Sequence, residues 1–196
     1  ITNEKFQVGD RVKGYIATTL NSNKNNHQIV IYRNNIDFLK RLFELEIPEI
    51  KSGEVEIKSI AREAGQRSKV AVYSNDELLD PIGSCIGEEG VRVKAIVNEL
   101  NGEKIDIVQW SESPEEYIAA SLSPSNVIDV QIITDSNNIT KALVVVPDEH
   151  LSLAIGKEGQ NARLAAKLTS WRIDIKSETQ TKEANISYQF RFLPKR

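Results

Sequence analysis

The 196-residue sequence contains no methionine, one cysteine and two histidines, and these scarcities limit its possible functions. The single Cys85 excludes an internal disulfide, which favours a reducing compartment. No apolar run approaches the roughly 18 residues of a membrane span, so neither a transmembrane helix nor a signal segment is predicted. With 40% hydrophobic and 27% charged residues, the composition indicates a soluble protein, and we expect it in the cytoplasm. Because the sequence starts at Ile1, we expect a fragment.

Residues suited to catalysis or metal binding are few, and their placement argues against an enzyme. Cys85 has no histidine near it in the sequence, and His27 and His150 lie far apart. Gly156-Lys157 is followed by Glu158 instead of Ser or Thr and lacks the upstream glycine of a P-loop. No cluster has metal-ligand spacing. We therefore predict no catalytic activity, no cofactor and no metal.

One motif occurs twice. Residues 86–92 read Ile-Gly-Glu-Glu-Gly-Val-Arg, residues 155–163 read Ile-Gly-Lys-Glu-Gly-Gln-Asn-Ala-Arg, and the first glycines of the two lie 69 positions apart. Each Gly-x-x-Gly is followed by a helical pattern and then by an Ile-Asp-Ile strand, at 105–107 and 173–175. Two glycines three apart often mark only a turn. Agreement over a whole helix and strand indicates instead a duplicated module.

Two glycines three apart allow a sharp backbone turn that a ligand can approach closely, because glycine tolerates positive φ and has no Cβ. The first N–H groups of the following helix are unpaired and partly positive, which suits a phosphate. Helix, GxxG loop, helix and strand in this order resemble the KH domain, whose loop holds about four nucleotides of a single strand. The resemblance implies these RNA-binding residues: Ile86, Gly87, Glu88, Glu89, Gly90, Arg92, Lys94, Ile155, Gly156, Lys157, Glu158, Gly159, Gln160, Asn161 and Arg163.

Charge is distributed unevenly along the chain. Residues 1–35 carry a net charge of +3, 36–111 carry −5, 112–178 carry −4 and 179–196 carry +3. Proteins that bind duplexes through counterion release are expected to be basic, whereas both repeats are acidic. The charge pattern therefore favours a local backbone clamp and single-stranded RNA.

Hydrophobic periodicity predicts an α/β fold with the same order in both repeats: helix, strand, strand, helix, GxxG, helix, strand. This order resembles the bacterial (type II) KH fold. Upstream, strands predicted at 6–17 and 28–32 resemble the end of an OB-type RNA-binding barrel. The predicted domains are the end of the OB-type domain at 1–35, the first KH domain at 36–111, the second KH domain at 112–178, and a tail or flexible linker at 179–196.

An OB-type barrel followed by two KH domains is similar to the NusA family of bacterial transcription elongation factors. The similarity covers about residues 4–178 and is closest in 38–50, 80–83, 97–106 and 151–165. It implies a factor that binds single-stranded nascent RNA, RNA polymerase and other transcription factors. Such a factor modulates pausing, termination and antitermination. We also expect a monomer without membrane contact.

The first loop departs from the family pattern. Glu88 and Glu89 occupy its variable positions, where the family usually has at least one basic or neutral residue, and two carboxylates repel a phosphate. The second loop has Lys157 there. Arg92 and Lys94 could offset part of the repulsion or be solvated surface residues. We expect the second loop to hold RNA more strongly.

Two other hypotheses belong to different classes. One is a KH/OB RNA-binding subunit of an RNA-degradation assembly, although such nucleases place one KH domain before the OB barrel, whereas here two follow it. The other is a structural module whose loops no longer bind RNA. A titration with short single-stranded RNAs separates the binding hypotheses from the structural one.

Overall fold

The computed structural model describes residues 4–22 and 26–193, and the side chains of 4–16 and 29–193. The described chain forms two compact units. The first contains the residues up to Glu56 together with 62–68 and 74–105, and the second contains 57–61, 69–73 and the residues from 106 onward. No helix in the described part of the chain is both long and apolar enough to cross a membrane.

The described chain begins with an antiparallel hairpin. Its strands are β1 (Tyr15–Ser22) and β2 (Asn26–Tyr32), which confirms the second predicted strand. The first strand runs beyond the predicted end at 17, the second starts two residues before the predicted start at 28, and residues 23–25 lie outside the described residues. On β2, Ile29 and Ile31 are exposed.

The prediction of a first strand at 6–17 was wrong in its position. A tight turn interrupts the extended chain there: the Asp10 backbone N donates to the Gln7 carbonyl at 3.1 Å, and Gly9 has a φ of +103°. The strand begins only at Tyr15. Val12 and Ile16 among polar neighbours suggested a strand, but Gly9 is the stronger indication here, and it favours a turn.

The first series of elements follows the predicted αββααβ order, and β3, β4 and β5 form a sheet in that order. Its first helix starts at an N-cap, where the Asn35 side chain accepts from the Phe38 N at 2.9 Å, and it ends before Pro48. The elements are α1 (Ile36–Glu46), α2 (Pro48–Ser52), β3 (Glu56–Glu63), β4 (Arg67–Tyr73), α3 (Pro81–Ile86), α4 (Val91–Glu99) and β5 (Lys104–Gln109).

The second series has the predicted αββααβ order without an equivalent of α2, and it ends with an additional helix. In its sheet, the second strand pairs antiparallel with the first and parallel with the third. Its core includes Ile118, Leu122, Val130, Val144 and Ala165, all fully buried. The elements are α5 (Pro114–Ser121), β6 (Asp129–Thr134), β7 (Thr140–Val146), α6 (Leu151–Ile155), α7 (Gln160–Thr169), β8 (Ile173–Ser177) and α8 (Glu178–Glu183).

The described part of the tail is folded, unlike the flexible linker expected from Thr179 onward. Helix α8 opens with a capping box, and farther on the backbone N atoms of Arg191 and Phe192 both donate to the Ile128 carbonyl at 3.0 Å. The Phe192 ring packs against the apolar core of the second unit. A short polar helix has little apolar periodicity, so the sequence pattern did not reveal it.

Candidate nucleic-acid interface

Both GxxG loops join a short helix to a longer one through the same backbone conformation. In each loop the two glycines and the residue before the second glycine have positive φ. A positive φ is strained for a glutamate and persists only where the surroundings hold it. The φ values are +74°, +51° and +76° at Gly87, Glu89 and Gly90, and +79°, +54° and +73° at Gly156, Glu158 and Gly159.

In the second loop, two backbone amides remain available to a ligand. The Gly159 N donates back to the Gly156 carbonyl at 3.1 Å, and the Gln160 N donates to the Lys157 carbonyl. Within the described residues, no backbone carbonyl accepts from the amides of Lys157 or Glu158. A helical residue followed by a left-handed one directs successive N–H groups into one concavity, which suits an anion.

The first loop has the same bonding. The Gly90 N donates to the Gly87 carbonyl at 3.1 Å, and the Val91 N donates to the Glu88 carbonyl. The amides of Glu88 and Glu89 likewise have no backbone acceptor within the described part of the chain. The duplicated sequence motif thus builds two loops with the same backbone hydrogen bonds and the same pair of available amides.

The first glycine of each motif is also required by close packing. A Cβ at Gly87 would lie 2.7 Å from the Cγ of Arg92, and a Cβ at Gly156 would lie 2.8 Å from the backbone N of Asn161. Both distances are too short for a real side chain. The residue five positions after the first glycine is therefore packed against it in both copies.

Asn161 supports the second loop from inside. Its side chain is 1% exposed, and its Nδ2 donates to the carbonyls of Leu122 at 3.1 Å and Ala154 at 2.9 Å. These bonds tie the first turn of α7 to the ends of α5 and α6. The structure thus gives this predicted RNA-binding residue a positioning role, because its amide does not reach the surface.

Arg92 occupies the corresponding position in the first copy. Its Nη1 donates to the Ser84 carbonyl and to Glu49 Oε2, both at 2.7 Å, and the side chain is half-buried. It therefore holds the end of α3, as Asn161 holds the end of α6. The suggestion that Arg92 offsets the two loop glutamates is weakened, because Glu49 already neutralises it.

The remaining predicted side chains lie at the loop surfaces. Ile86 and Ile155, which precede the first glycines, are each 38% exposed, and Gln160 is half-buried at the start of α7. The exposed charged residues give the first loop a net charge of −1 and the second a net charge of +1. They are Glu88, Glu89 and Lys94 in the first loop, and Lys157, Glu158 and Arg163 in the second.

Family models match most of the chain. The model of the NusA-like first KH domain matches residues 33–110, and that of the NusA-like second KH domain matches residues 114–183. The chain belongs to the NusA family. Its NusA-type KH domains carry the two loops described above.

Curated relatives named transcription termination/antitermination protein NusA are similar over nearly the whole chain. The protein from Bacillus subtilis is 56% identical over 184 residues, which cover 94% of this chain and 48% of that protein. The protein from Rickettsia prowazekii is 46% identical over 183 residues, which cover 92% and 36%. The chain thus spans about half or less of the length of these NusA relatives.

A solved structure supports the fold alone. The crystal structure of APE1850 aligns with a TM-score of 0.50 at 22% sequence identity and covers 69% of this chain and 96% of that chain. At this identity the similarity shows only that the two proteins share an arrangement of helices and strands.

Cys85, directly before the first loop of this NusA-family chain, is unsuited to nucleophilic chemistry. Its side chain is fully buried, and burial raises the pKa of its thiol to about 12, so it stays protonated at neutral pH. The described residues include no group of three or more His, Cys, Asp or Glu side chains placed to hold a metal ion.

Some residues that support the NusA-type loops were missed from sequence. Glu49 lies 43 positions before Arg92, and a pair so distant has no local signature. Leu122 and Ala154 contribute only their carbonyls to Asn161, so their side chains give no signal. An asparagine in the first turn of a predicted helix is the only related sequence feature that we identify, and it does not reveal that the side chain is buried.

Proposed function

We propose that this chain is the RNA-binding region of a NusA-family transcription factor and holds single-stranded nascent RNA with its two GxxG loops. The observation that carries the proposal is the repeated pair of available amides, at Glu88 and Glu89 and at Lys157 and Glu158. Backbone amides bind phosphate without basic side chains, so the clamp is compatible with an acidic protein.

Exposed apolar residues beside the amides suit the rest of a nucleotide. Ile86 and Ile155 border the concavities and offer an apolar contact to a base whose phosphate is held by the loop. Bases can be approached in this way only when they are not paired in a duplex. We therefore propose a single strand as the ligand, with Lys157 increasing the affinity of the second loop.

The cellular role follows from the family. The relatives are named for transcription termination and antitermination, and we propose that this chain contributes RNA binding to that process in the bacterial cytoplasm. RNA polymerase and other transcription factors are the proposed partners of the whole protein. The hairpin of β1 and β2 is proposed to be the end of an OB-type domain.

The test compares two RNAs by fluorescence anisotropy. A labelled mixed-sequence single strand of about twelve nucleotides, three times what one loop holds, is titrated with the chain beside a duplex of equal length. We expect the single strand to bind at least about tenfold more tightly, because the loops can contact both its phosphates and its unpaired bases. Equal affinity for the two RNAs would contradict the proposal.

A further inference from the structure

We infer that Lys94 and Arg163 are positioning residues that hold the two loops in their binding conformation. Each is the seventh residue after the first glycine of its motif, and each bonds the backbone carbonyl of the left-handed glutamate in its loop. The inference rests on the proposed function and assigns to these two residues a role other than direct phosphate contact.

In the first loop, the Lys94 Nζ donates to the Glu89 carbonyl at 2.7 Å. To reach it, the lysine side chain passes over Gly90: a Cβ at that glycine would lie 3.4 Å from Lys94 Cε. That separation is an ordinary van der Waals contact, so the lysine stem lies directly over the glycine without excluding a side chain there. The requirement for glycine at this position comes from its φ of +76°.

In the second loop, an arginine makes the same bond. The Arg163 Nη1 donates to the Glu158 carbonyl at 2.9 Å, and a Cβ at Gly159 would lie 4.0 Å from that nitrogen. Lysine and arginine differ in shape and donor number, yet both copies place a cationic donor on the same carbonyl. The same bond is therefore made by two different cationic residues, which indicates that the position of the donor matters more than the shape of the side chain.

The physical effect is preorganisation. A glutamate at positive φ would relax to another conformation if nothing held it. A bond to its carbonyl stabilises the left-handed state, and that state aligns the two available amides in each loop. A loop that is already ordered loses less conformational entropy when RNA binds, so its affinity is higher.

The RNA experiment uses variants of the whole chain. Arg163→Met removes the donor and keeps much of the side-chain length, whereas Arg163→Lys keeps a donor that is long enough, as Lys94 shows in the first copy. Lys167→Met, at an exposed position one turn farther along α7, is the control for losing one positive charge. The probe is the mixed-sequence single-stranded RNA, and thermal unfolding midpoints show that each variant is folded.

We expect Arg163→Met to weaken RNA binding by about fivefold, because the loop must be ordered on binding. Arg163→Lys and Lys167→Met should stay within about twofold of the unchanged chain. The slope of log affinity against log salt should be the same for Arg163→Met and the unchanged chain. A slope reduced by about 0.7, which is the value for one lost phosphate contact on a single strand, would overturn the positioning role. An equal loss in Lys167→Met would also overturn it.

A second measurement needs no RNA. The amides of Gly159 and Gln160 donate within the loop, so their hydrogen exchange reports whether the loop keeps its shape. We expect Arg163→Met to speed this exchange at least about fivefold and Arg163→Lys to leave it unchanged. Unchanged exchange in Arg163→Met overturns the inference. If the unchanged chain does not bind RNA, the proposed function fails, while the exchange result still decides the positioning role.

Discussion

The two GxxG loops have nearly the same backbone and different side-chain supports. A half-buried arginine, Arg92, holds the end of the preceding helix in the first copy, and a buried asparagine, Asn161, does so in the second. Both copies share a side-chain donor to a helix carbonyl, although the donor residue differs. They also share a cationic side chain, Lys94 or Arg163, that donates to the carbonyl of the loop glutamate. The comparison shows that these bonds and the glycines accompany one loop conformation, while the net charge of the exposed loop residues differs between the copies.

The two compact units also differ in how they bury polar groups. In the first unit, Arg62 and Glu103 form a buried ion pair, with Arg62 Nε donating to Glu103 Oε1 at 2.8 Å. Ser68 and the Gly65 amide also donate to this carboxylate, at 2.7 Å and 2.9 Å. In the second unit, the buried carboxylate of Asp129 pairs with Arg191 at 3.3 Å, and that arginine is 43% exposed. The pair of Arg62 and Glu103 is buried on both sides, so we expect the first unit to depend more strongly on its ion pair.

The largest effect is expected for Glu103→Gln. Removing one partner of a buried ion pair leaves the Arg62 charge uncompensated, so we expect a loss of about 3–5 kcal/mol in the free energy of unfolding at pH 7. Burial alone would raise the pKa of Glu103, but the hydrogen bonds from Arg62, Gly65 and Ser68 outweigh it and lower the pKa.

The sign of the pH dependence follows from the lowered pKa. The Glu103 carboxylate stabilises the fold above its ordinary pKa of about 4.3, and this contribution is lost as the pH falls through the lower folded-state pKa. The difference in the free energy of unfolding between Glu103→Gln and the unchanged chain should therefore become smaller toward acidic pH. Urea unfolding followed by circular dichroism measures this difference, and Glu88→Gln, at an exposed position, is the control. A difference that stays constant below pH 4 would refute the assignment.

A smaller difference separates the first glycines of the two motifs. An alanine at 156 would meet the backbone N of Asn161, which cannot move alone. An alanine at 87 would meet the stem of the Arg92 side chain, which can move aside only by straining its bonds to Ser84 and Glu49. Both substitutions also strain a positive φ. We expect Gly156→Ala to lower the free energy of unfolding by about 2–3 kcal/mol and Gly87→Ala by about 1–2 kcal/mol. Thermal unfolding of both variants tests this order, and a greater loss for Gly87→Ala would reverse the comparison.

Much of the loop architecture was predictable because its signals are local. Glycine spacing, the helical pattern after it and the Ile-Asp-Ile strands repeat over one continuous stretch, so one sequence suffices to indicate the module. The αββααβ order followed from the same periodicity. The inward placement of Asn161 was not predictable, because it depends on carbonyls that α5 and α6 bring together only in the folded chain.

The predictions from sequence were wrong or incomplete where local sequence signals conflict or are weak. Around Gly9 the apolar residues suggested a strand, but the chain turns there, because glycine permits the positive φ that the turn needs. The tail contacts Ile128, more than sixty positions earlier, through backbone groups that have no sequence signature. The ion pair of Arg62 and Glu103 was not predicted because its two side chains lie 41 positions apart in the sequence.

The smallest effect on the stability of the fold is expected from changes in the surface charges at the two loops. Replacing Lys157 and Glu158 with two aspartates keeps both glycines of the second loop and puts two carboxylates beside its available amides. The loss of one charge-assisted contact with phosphate is worth roughly 1.5–3 kcal/mol, so RNA affinity should fall at least about tenfold. Thermal unfolding should be nearly unchanged, since both side chains are exposed.

The matched change in the first loop replaces Glu88 and Glu89 with aspartates. It should alter RNA affinity little, because that loop already carries two carboxylates, whereas lysine at 88 with glycine at 89 should strengthen binding. Glycine at 89 also relieves the strain of a φ of +51°. Fluorescence anisotropy with the same single-stranded RNA measures all three variants. If the aspartates in the second loop leave affinity unchanged while the changes at 88 and 89 alter it strongly, the first loop holds the RNA. In that case the net charge of a loop does not determine its RNA affinity, because the more acidic of the two loops would bind RNA more tightly.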